Sequence, residues 1–269
     1  MTWRNVTARG VCNLELLPVR VEPYPHVVRE RFVEPEHYRQ LCQTFPRCPP
    51  GKSPTGFSLY WGEAGYDRLL DAQPAWRALH DTFHSQTFID WGAKQFAEVW
   101  AREGCTIDPE AARYVSYRED RVDKERSWLR RVAHEPHELW VRMDIHQGRV
   151  GYSRQPHVDY PRRLVSMLIY FCDHDESRMV GGELFLHGAT LQRREPTRIA
   201  PRHNLMVAFP CSNNSLHSVA KLTSATVPRN YVHVFISASE TVWPRDPAPP
   251  RWRQALASFT RLARARVQG

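Results

Sequence analysis

Six short apolar runs between residues 139 and 236 constrain the fold of this chain most strongly. Glycine, proline and asparagine separate the runs, as is typical of strands joined by turns. The runs are LWVRMDI (139–145), LVSMLIYF (164–171), GGELFL (181–186), NLMVAF (204–209), LHSVAKL (216–222) and YVHVFI (231–236). Because the turns between them are short, no helix fits inside the segment. The pattern predicts a closed or sandwiched antiparallel β core.

Three potential metal ligands lie within this β-rich segment. His157 and Asp159 follow the first run, and His217 lies in the fifth. Side chains two residues apart in a strand point to the same face, so His157 and Asp159 can reach one ion from one segment. Two imidazoles and one carboxylate can occupy one face of an Fe(II) octahedron, which leaves three positions for a chelating cosubstrate and O2. The pattern therefore indicates a non-haem iron oxygenase.

The segment from about residue 139 to 239 resembles the Fe(II)/2-oxoglutarate-dependent oxygenases, in the branch similar to prolyl 4-hydroxylase catalytic domains. The similarity lies in PHVDYPRRLVSMLIYF, GGELFLHG, PRHNLMVAFP, SLHSV and RNYVHVFIS. The resemblance implies a mostly β fold with flanking helices around a double-stranded β-helix (jelly-roll) core. It also implies Fe(II), 2-oxoglutarate and O2 as cofactors, with His157, Asp159 and His217 as the catalytic metal ligands.

The same resemblance assigns a cosubstrate role to Arg229, at the start of the last run. The carboxylate of 2-oxoglutarate that lies far from the iron must enter the core, where an unpaired carboxylate is costly. A guanidinium offers two parallel hydrogen bonds to such a group. Tyr231 would face the same side of the strand and could add a hydroxyl donor. The family often has serine or threonine at that position.

Simpler interpretations exist for each of these residues taken singly. A histidine or aspartate on a strand is commonly a satisfied structural residue, and His174 and Asp175 form a neighbouring pair of similar type outside the pattern. A barrel retained as a catalytically inactive binding module is the alternative of a different class. The order of the three candidate ligands, with the Gly-Gly-Glu run and Arg229, favours the enzyme.

The composition limits the partners and the compartment. The net charge is +8, but 33 of the 37 basic residues are arginine and they are spread over the whole chain. Without one aromatic-interleaved basic patch, nucleic-acid binding is disfavoured. The six cysteines form no regular framework, which fits a reducing cytoplasm. No segment has the length of a membrane span or the form of a signal peptide, so we expect a soluble cytoplasmic protein.

The chain is long enough for a single catalytic domain of 1–269. We expect residues 1–134 to form a mainly helical region that packs on the barrel, 135–240 to form the double-stranded β-helix core, and 247–269 to form a C-terminal helix. Helices should begin at Pro35 and Pro74, since proline favours the first helical position.

The sequence gives the least information about the identity of the substrate. The resemblance implies oxidation of an unactivated C–H bond with release of succinate and CO2, by hydroxylation or oxidative cyclisation. The N-terminal PYPHVVRERFVEPEHYRQLCQTFP is similar to bacterial stand-alone oxygenases of natural-product pathways. We therefore expect a small polar, carbohydrate-containing substrate and a role in antibiotic biosynthesis. The alternative is a prolyl or other amino-acid or peptide hydroxylase.

Substrate selectivity should lie outside the metal-binding strands, because a barrel with short turns must take its lid from elsewhere. The segments 53–66 and 114–131 are the candidates. Their aromatic faces suit sugar rings and their arginines supply donors. The predicted substrate-binding residues are Tyr60, Trp61, Tyr66, Tyr117, Arg118 and Arg121.

Overall fold

Two antiparallel β-sheets form the centre of the molecule in a computed structural model, which describes residues 10–47, 55–118, 134–188 and 195–243. The strands of the described part are β1 (Val27–Arg29), β2 (Gly56–Leu59), β3 (Arg113–Tyr114), β4 (Glu138–Gly148), β5 (Arg154–His157), β6 (Arg163–Tyr170), β7 (Leu184–Leu186), β8 (Thr197–Ile199), β9 (Met206–Pro210), β10 (His217–Val219) and β11 (Arg229–Ser237). The helices are α1 (Pro35–Gln43), α2 (Ala64–Ala72), α3 (Pro74–Phe83) and α4 (Gln86–Arg102).

The larger sheet has seven strands in the order β1-β9-β6-β11-β4-β2, with β3 paired to β4 in parallel. The smaller sheet has the order β5-β10-β7-β8. Each of the six predicted apolar runs contains one strand, namely β4, β6, β7, β9, β10 and β11. The prediction of a mostly β, double-stranded β-helix fold with flanking helices is confirmed.

Alternation along the strands gives the larger sheet two different faces. On β11, Val232, Val234 and Ile236 pack on the outer face with the helices, whereas Arg229 and Tyr231 point towards the smaller sheet. The outer face is covered by a hydrophobic core in which Trp76, Phe83, Phe88 and Trp100 are fully buried. The inner face carries most of the polar residues, so the space between the sheets is where chemistry can occur.

The N-terminal region contributes more to the sheet than the sequence predicted. β1 pairs with β9 and β2 pairs with β4, so residues before 135 extend the larger sheet at both edges. Helices α1 to α4 make up most of the regular structure before residue 135, so these short strands are additions to the mainly helical region predicted for 1–134. The helix starts at Pro35 and Pro74 are confirmed, and the Glu34 carboxylate caps α1 by accepting a 2.9 Å hydrogen bond from the backbone N–H of His37. The predicted C-terminal helix at 247–269 lies outside the described residues.

Gly181 and Gly182 hold the turn that leads into β7. Both have positive φ, at +82° and +84°. A Cβ on Gly181 would lie 1.9 Å from the carbonyl oxygen of Lys221. The carbonyl of Gly182 accepts a 2.7 Å hydrogen bond from Nε of Arg229. The double glycine therefore brings the backbone close enough to position this arginine.

Gly181→Ala should lower the free energy of unfolding by more than about 2 kcal/mol, because the left-handed backbone and the contact with Lys221 must both be relieved. Urea unfolding measures the change. Gly188→Ala is the matched control, since a Cβ there meets nothing within 4 Å. Equal stability of the two variants would contradict this account of the turn.

Candidate metal and cosubstrate site

His157, Asp159 and His217 converge between the two sheets. His157 is the last residue of β5 and His217 the first of β10, and the two are directly paired in the ladder. Asp159 lies two residues beyond the end of β5, so its position comes from the following turn and not from strand alternation. One potential ligand atom from each residue lies within 4.8 Å of the others. Within the described residues this is the one group of three or more such side chains that could hold a metal ion.

Hydrogen bonds to the backbone orient both imidazoles. Nδ1 of His157 lies 2.8 Å from the carbonyl oxygen of Gln155, and Nδ1 of His217 lies 2.9 Å from that of Ser215. A carbonyl can only accept, so in each ring Nδ1 carries the proton and Nε2 keeps its lone pair. Metal-binding histidines are commonly oriented in this way. Burial lowers the pKa of His217, which favours the neutral imidazole that a metal requires.

Arg163 holds the carboxylate of Asp159. Its Nη1 lies 2.8 Å from Oδ1 of Asp159, and both side chains are buried. The other oxygen, Oδ2, lies 4.0 Å from Nε2 of His217. Burial raises the pKa of Asp159, but the charge of Arg163 and the two histidines more than offset it, and the net shift is downward. The carboxylate is thus ionised, with one oxygen bound by the arginine and the other directed towards the histidines.

Arg163→Met should weaken metal binding about 10- to 100-fold, the usual effect of losing a partner of a metal ligand. Without the arginine, burial raises the pKa of Asp159, and metal affinity should fall further as the pH is lowered through that raised value. Zn(II) titration at several pH values measures both effects. Arg162→Met is the matched control, and affinity equal to wild type in both variants would contradict the role given to Arg163.

Arg229 is completely buried at the other end of the same space. Its Nε donates to the carbonyl of Gly182 and its Nη2 donates to Oη of Tyr170, at 3.1 Å. Its guanidinium carbon lies 4.5 Å from the ring centre of Tyr231. Within the described residues, Nη1 has no hydrogen-bond partner. A buried guanidinium N–H without an acceptor is costly, and a carboxylate is the group that satisfies it best.

Three tyrosines surround this arginine, and the sequence identified only one of them. The hydroxyl of Tyr231 lies 2.8 Å from that of Tyr152. Tyr170 lies opposite Tyr231 in the pairing of β6 with β11. The inward position of Tyr170 could have been found from strand alternation once that register was known. Tyr152 precedes β5 and gave no sequence signal.

A cavity of about 400 Å³ connects the His-Asp-His group with Arg229. This volume is within the range of small-molecule sites, roughly 300–1,000 Å³. Both sheets line it. The lining residues include Tyr60, Asp144, His146, Tyr152, Arg154, His157, Asp159, Arg163, Leu168, His217, Arg229, Tyr231, His233 and Phe235. The donor set suits Fe(II), and the unsatisfied guanidinium suits the far carboxylate of 2-oxoglutarate.

The predicted substrate-binding residues are divided by the structure. Tyr60 lines the cavity, whereas none of Trp61, Tyr66, Tyr117 and Arg118 is part of the described lining. Arg121 lies outside the described residues. In the described part of the segment 53–66, Gly56–Leu59 forms β2 and Ala64 begins α2.

The four residues away from the cavity have structural contacts instead. Tyr66 is fully buried in the core, and Trp61 packs edge-on against His84 with ring centres 4.5 Å apart. Tyr117 packs against Trp140 at 4.8 Å, and Arg118 forms a 2.9 Å ion pair with Asp67. Apolar packing and surface pairing account for the positions of these four side chains, and their contact with the substrate stays a prediction.

Fold and site together define a double-stranded β-helix protein in which two histidines and one carboxylate could hold a metal ion, beside a buried arginine. Residues 143–237 match the family model of the 2OG-Fe(II) oxygenase superfamily. This match supports an Fe(II)/2-oxoglutarate-dependent dioxygenase with Fe(II), 2-oxoglutarate and O2 as its cofactors, and the His-Asp-His group fits that class of enzyme.

Solved structures with similar folds include an oxidoreductase of the 2OG-Fe(II) oxygenase family from Burkholderia pseudomallei, with 15% identity and a TM-score of 0.48 over 83% of this chain and 88% of that one. A prolyl 4-hydroxylase from Phytophthora capsici has 15% identity and a TM-score of 0.46, and the match covers 89% of this chain and 68% of that one. A prolyl-4-hydroxylase from Pseudomonas putida has 14% identity and a TM-score of 0.40, and the match covers 79% of this chain and 92% of that one. No curated protein matches the sequence significantly.

Among the residues that the structure describes, every helix is too short or too polar to cross a membrane.

Proposed function

We propose that this dioxygenase holds iron with His157, Asp159 and His217 and binds 2-oxoglutarate through Arg229, with Tyr231 beside it. Its substrate in this proposal is a small polar, carbohydrate-containing natural product. An unactivated C–H bond of that substrate is oxidised, by hydroxylation or oxidative cyclisation, while 2-oxoglutarate is converted to succinate and CO2.

The observation that carries the proposal is the pairing of two features in one cavity. Three potential ligand atoms lie within 4.8 Å of one another, with both imidazole Nε2 lone pairs available. At the other end of the cavity, Nη1 of Arg229 has no partner among the described residues. A ligand that chelates a metal at one end and carries a carboxylate at the other satisfies both features.

Each of these residues would have a distinct role in binding or catalysis. Arg229, held by Gly182 and Tyr170, would fix the far carboxylate of the cosubstrate. Arg163 would keep Asp159 bound through a single oxygen, which preserves open positions at the metal. When bound, iron supplies the activation of O2 and the oxidant for the C–H bond. The buried walls formed by Leu168 and Phe235 would exclude water from that reaction.

The cavity is an open cleft of about 400 Å³ between the two sheets, a size that suits a small molecule. Its walls are polar on the side of the larger sheet, where Asp144, His146 and His233 lie. We further propose that the chain is a single catalytic domain, 1–269, and that it acts in the cytoplasm. The cysteines that the structure describes (12, 42, 105, 172 and 211) are all unpaired, which supports a reducing compartment.

A substrate screen tests the proposal. The purified enzyme, supplied with Fe(II), ascorbate and 2-oxoglutarate, should form succinate slowly on its own. Saccharide-containing natural products should raise that rate, with a matching oxidised product detected by mass spectrometry. Proline-containing peptides of equal concentration are the comparison. Stimulation by the peptides and not by the saccharides would overturn the assignment of substrate class, and no succinate under any condition would overturn the enzymatic roles.

A further inference from the structure

A buried ion pair lies beside the cavity and is not needed to hold either iron or 2-oxoglutarate. Nε of Arg142 donates to Oδ2 of Asp144 at 2.7 Å, and the two side chains are 1% and 2% exposed. The backbone N–H of Trp61 donates to Oδ1 of Asp144 at 3.2 Å. Burying two charges costs several kcal/mol per ion, so a pair of apolar residues would often serve stability equally well. The pair is therefore a candidate for a role in binding.

Asp144 belongs to a polar patch on the inner face of the larger sheet. His233 of β11 is paired with Asp144 of β4, and His146 of β4 is two residues along the same face. All three line the cavity together with the metal-site residues. The patch, defined by Asp144, His146 and His233, is thus the wall that a substrate above the metal site would touch.

Serine hydroxyls fix the two histidines of the patch. Nδ1 of His146 lies 2.8 Å from Oγ of Ser58, and Nε2 of His233 lies 2.8 Å from Oγ of Ser166. Such hydrogen bonds hold the rings in one orientation before a ligand arrives, which lowers the entropy cost of binding.

We propose that Asp144, supported by Arg142, binds a vicinal pair of hydroxyl groups on a neutral pyranose or polyol ring of the substrate. This inference rests on the proposed function and specifies which group of the substrate Asp144 recognises. A carboxylate has about four lone-pair sites, and the two bonds from Arg142 and Trp61 leave sites for two hydroxyl donors. Because Arg142 neutralises the carboxylate, the patch attracts a neutral donor in preference to a cation.

The neighbouring side chains are suited to the rest of such a ring. His146 lies two residues from Asp144 along β4 and His233 lies opposite it on β11, so both imidazoles border the same part of the cavity. The aromatic ring of Tyr60 lines the same cavity and supplies a flat surface for the apolar C–H face of a sugar. A carboxylate that accepts from hydroxyl groups, beside an aromatic ring that packs on C–H groups, matches the polar and apolar parts of a pyranose.

Saturation-transfer NMR tests the inference on enzyme loaded with Zn(II) and N-oxalylglycine, an unreactive analogue of 2-oxoglutarate. The probes are a set of methyl pyranosides, their singly deoxygenated derivatives, and cyclohexylamine. At least one pyranoside should receive saturation, and removal of either of two adjacent hydroxyls should reduce the signal at least fivefold. No transfer to any pyranoside, or transfer to cyclohexylamine alone, would overturn the inference.

Two variants locate the binding group. Asp144→Asn should reduce pyranoside saturation at least fivefold. Because it leaves Arg142 buried without its partner, it is accompanied by the charge-free double variant Arg142→Met with Asp144→Leu, which should fold and lose the same signal. Undiminished saturation in the folded double variant would overturn the role of Asp144. Bound Zn(II) and N-oxalylglycine are measured on the same samples: their loss in the wild type would count against the proposed function, whereas their retention without pyranoside binding counts against this inference alone.

Discussion

His217→Ala should abolish succinate formation. In the proposed site the residue is one of three protein ligands. Loss of even an outer partner of a ligand costs metal sites about 10- to 100-fold, so the decrease in kcat should exceed about 100-fold. The imidazole is buried between the sheets and its Nδ1 is already committed to Ser215, so no other side chain is placed to replace its Nε2 within the described part of the site. Succinate release measured by chromatography reports the change.

His174→Ala is the matched control for that variant. His174 also neighbours an aspartate in sequence, but its Nδ1 pairs with Asp175 at 3.1 Å on a loop, and it does not line the described cavity. The control should retain turnover within about twofold, the range expected for substitutions away from a site. Near wild-type turnover by the His217 variant would remove this residue from the metal site.

Arg229→Met should raise the KM for 2-oxoglutarate by at least roughly 10- to 100-fold while leaving Zn(II) affinity nearly unchanged. The substitution removes a charge-assisted hydrogen bond to the far carboxylate, worth about 1.5–3 kcal/mol, and keeps most of the buried volume. Steady-state kinetics and metal titration separate the two effects. A variant that loses metal and cosubstrate together would show that Arg229 supports the fold and not the cosubstrate.

Tyr170→Phe gives a graded comparison. It removes the hydroxyl that accepts from Nη2 of Arg229 but leaves the guanidinium in place. The KM should rise about 2- to 10-fold, as expected for one hydrogen bond of 0.5–1.5 kcal/mol. A larger effect in Tyr170→Phe than in Arg229→Met would reverse the order of importance given to these two residues.

The sequence predicted those features that depend on neighbours in the chain. Short apolar runs and the turn residues between them are local, so six of the eight strands from β4 to β11 could be read directly, whereas the short, polar β5 and β8 gave no apolar run. The ligand histidines were recognised through a motif, although Asp159 proved to lie beyond its strand. The sequence could not predict that β1 pairs with β9, about 180 residues away, or that β2 pairs with β4, about 90 residues away. No local pattern specifies which distant strand a sheet edge will pair with.

Packing explains why some predicted substrate-binding residues lie away from the cavity. Tyr66 and Trp61 are aromatic, as sugar-binding residues often are, but an aromatic side chain is equally suited to a hydrophobic core. Only tertiary packing distinguishes the binding role from the core role. The patch at Asp144 was overlooked for the opposite reason. Arg142 and Asp144 alternate with Val141, Met143 and Ile145 in an otherwise apolar run. Two charged residues on one face of such a strand are a signal that the face is turned towards a polar cavity.

Anaerobic titration of Fe(II) and 2-oxoglutarate into the metal-free enzyme measures whether the two bind together at the His-Asp-His group. A 2-oxo acid chelated to Fe(II) produces a visible charge-transfer absorption that neither component produces alone. We expect this absorption at one equivalent of iron in the wild type, its loss in His217→Ala, and its appearance only at higher 2-oxoglutarate concentration in Arg229→Met. A folded wild-type protein that binds iron without this absorption, or an unchanged absorption in His217→Ala, would contradict the account.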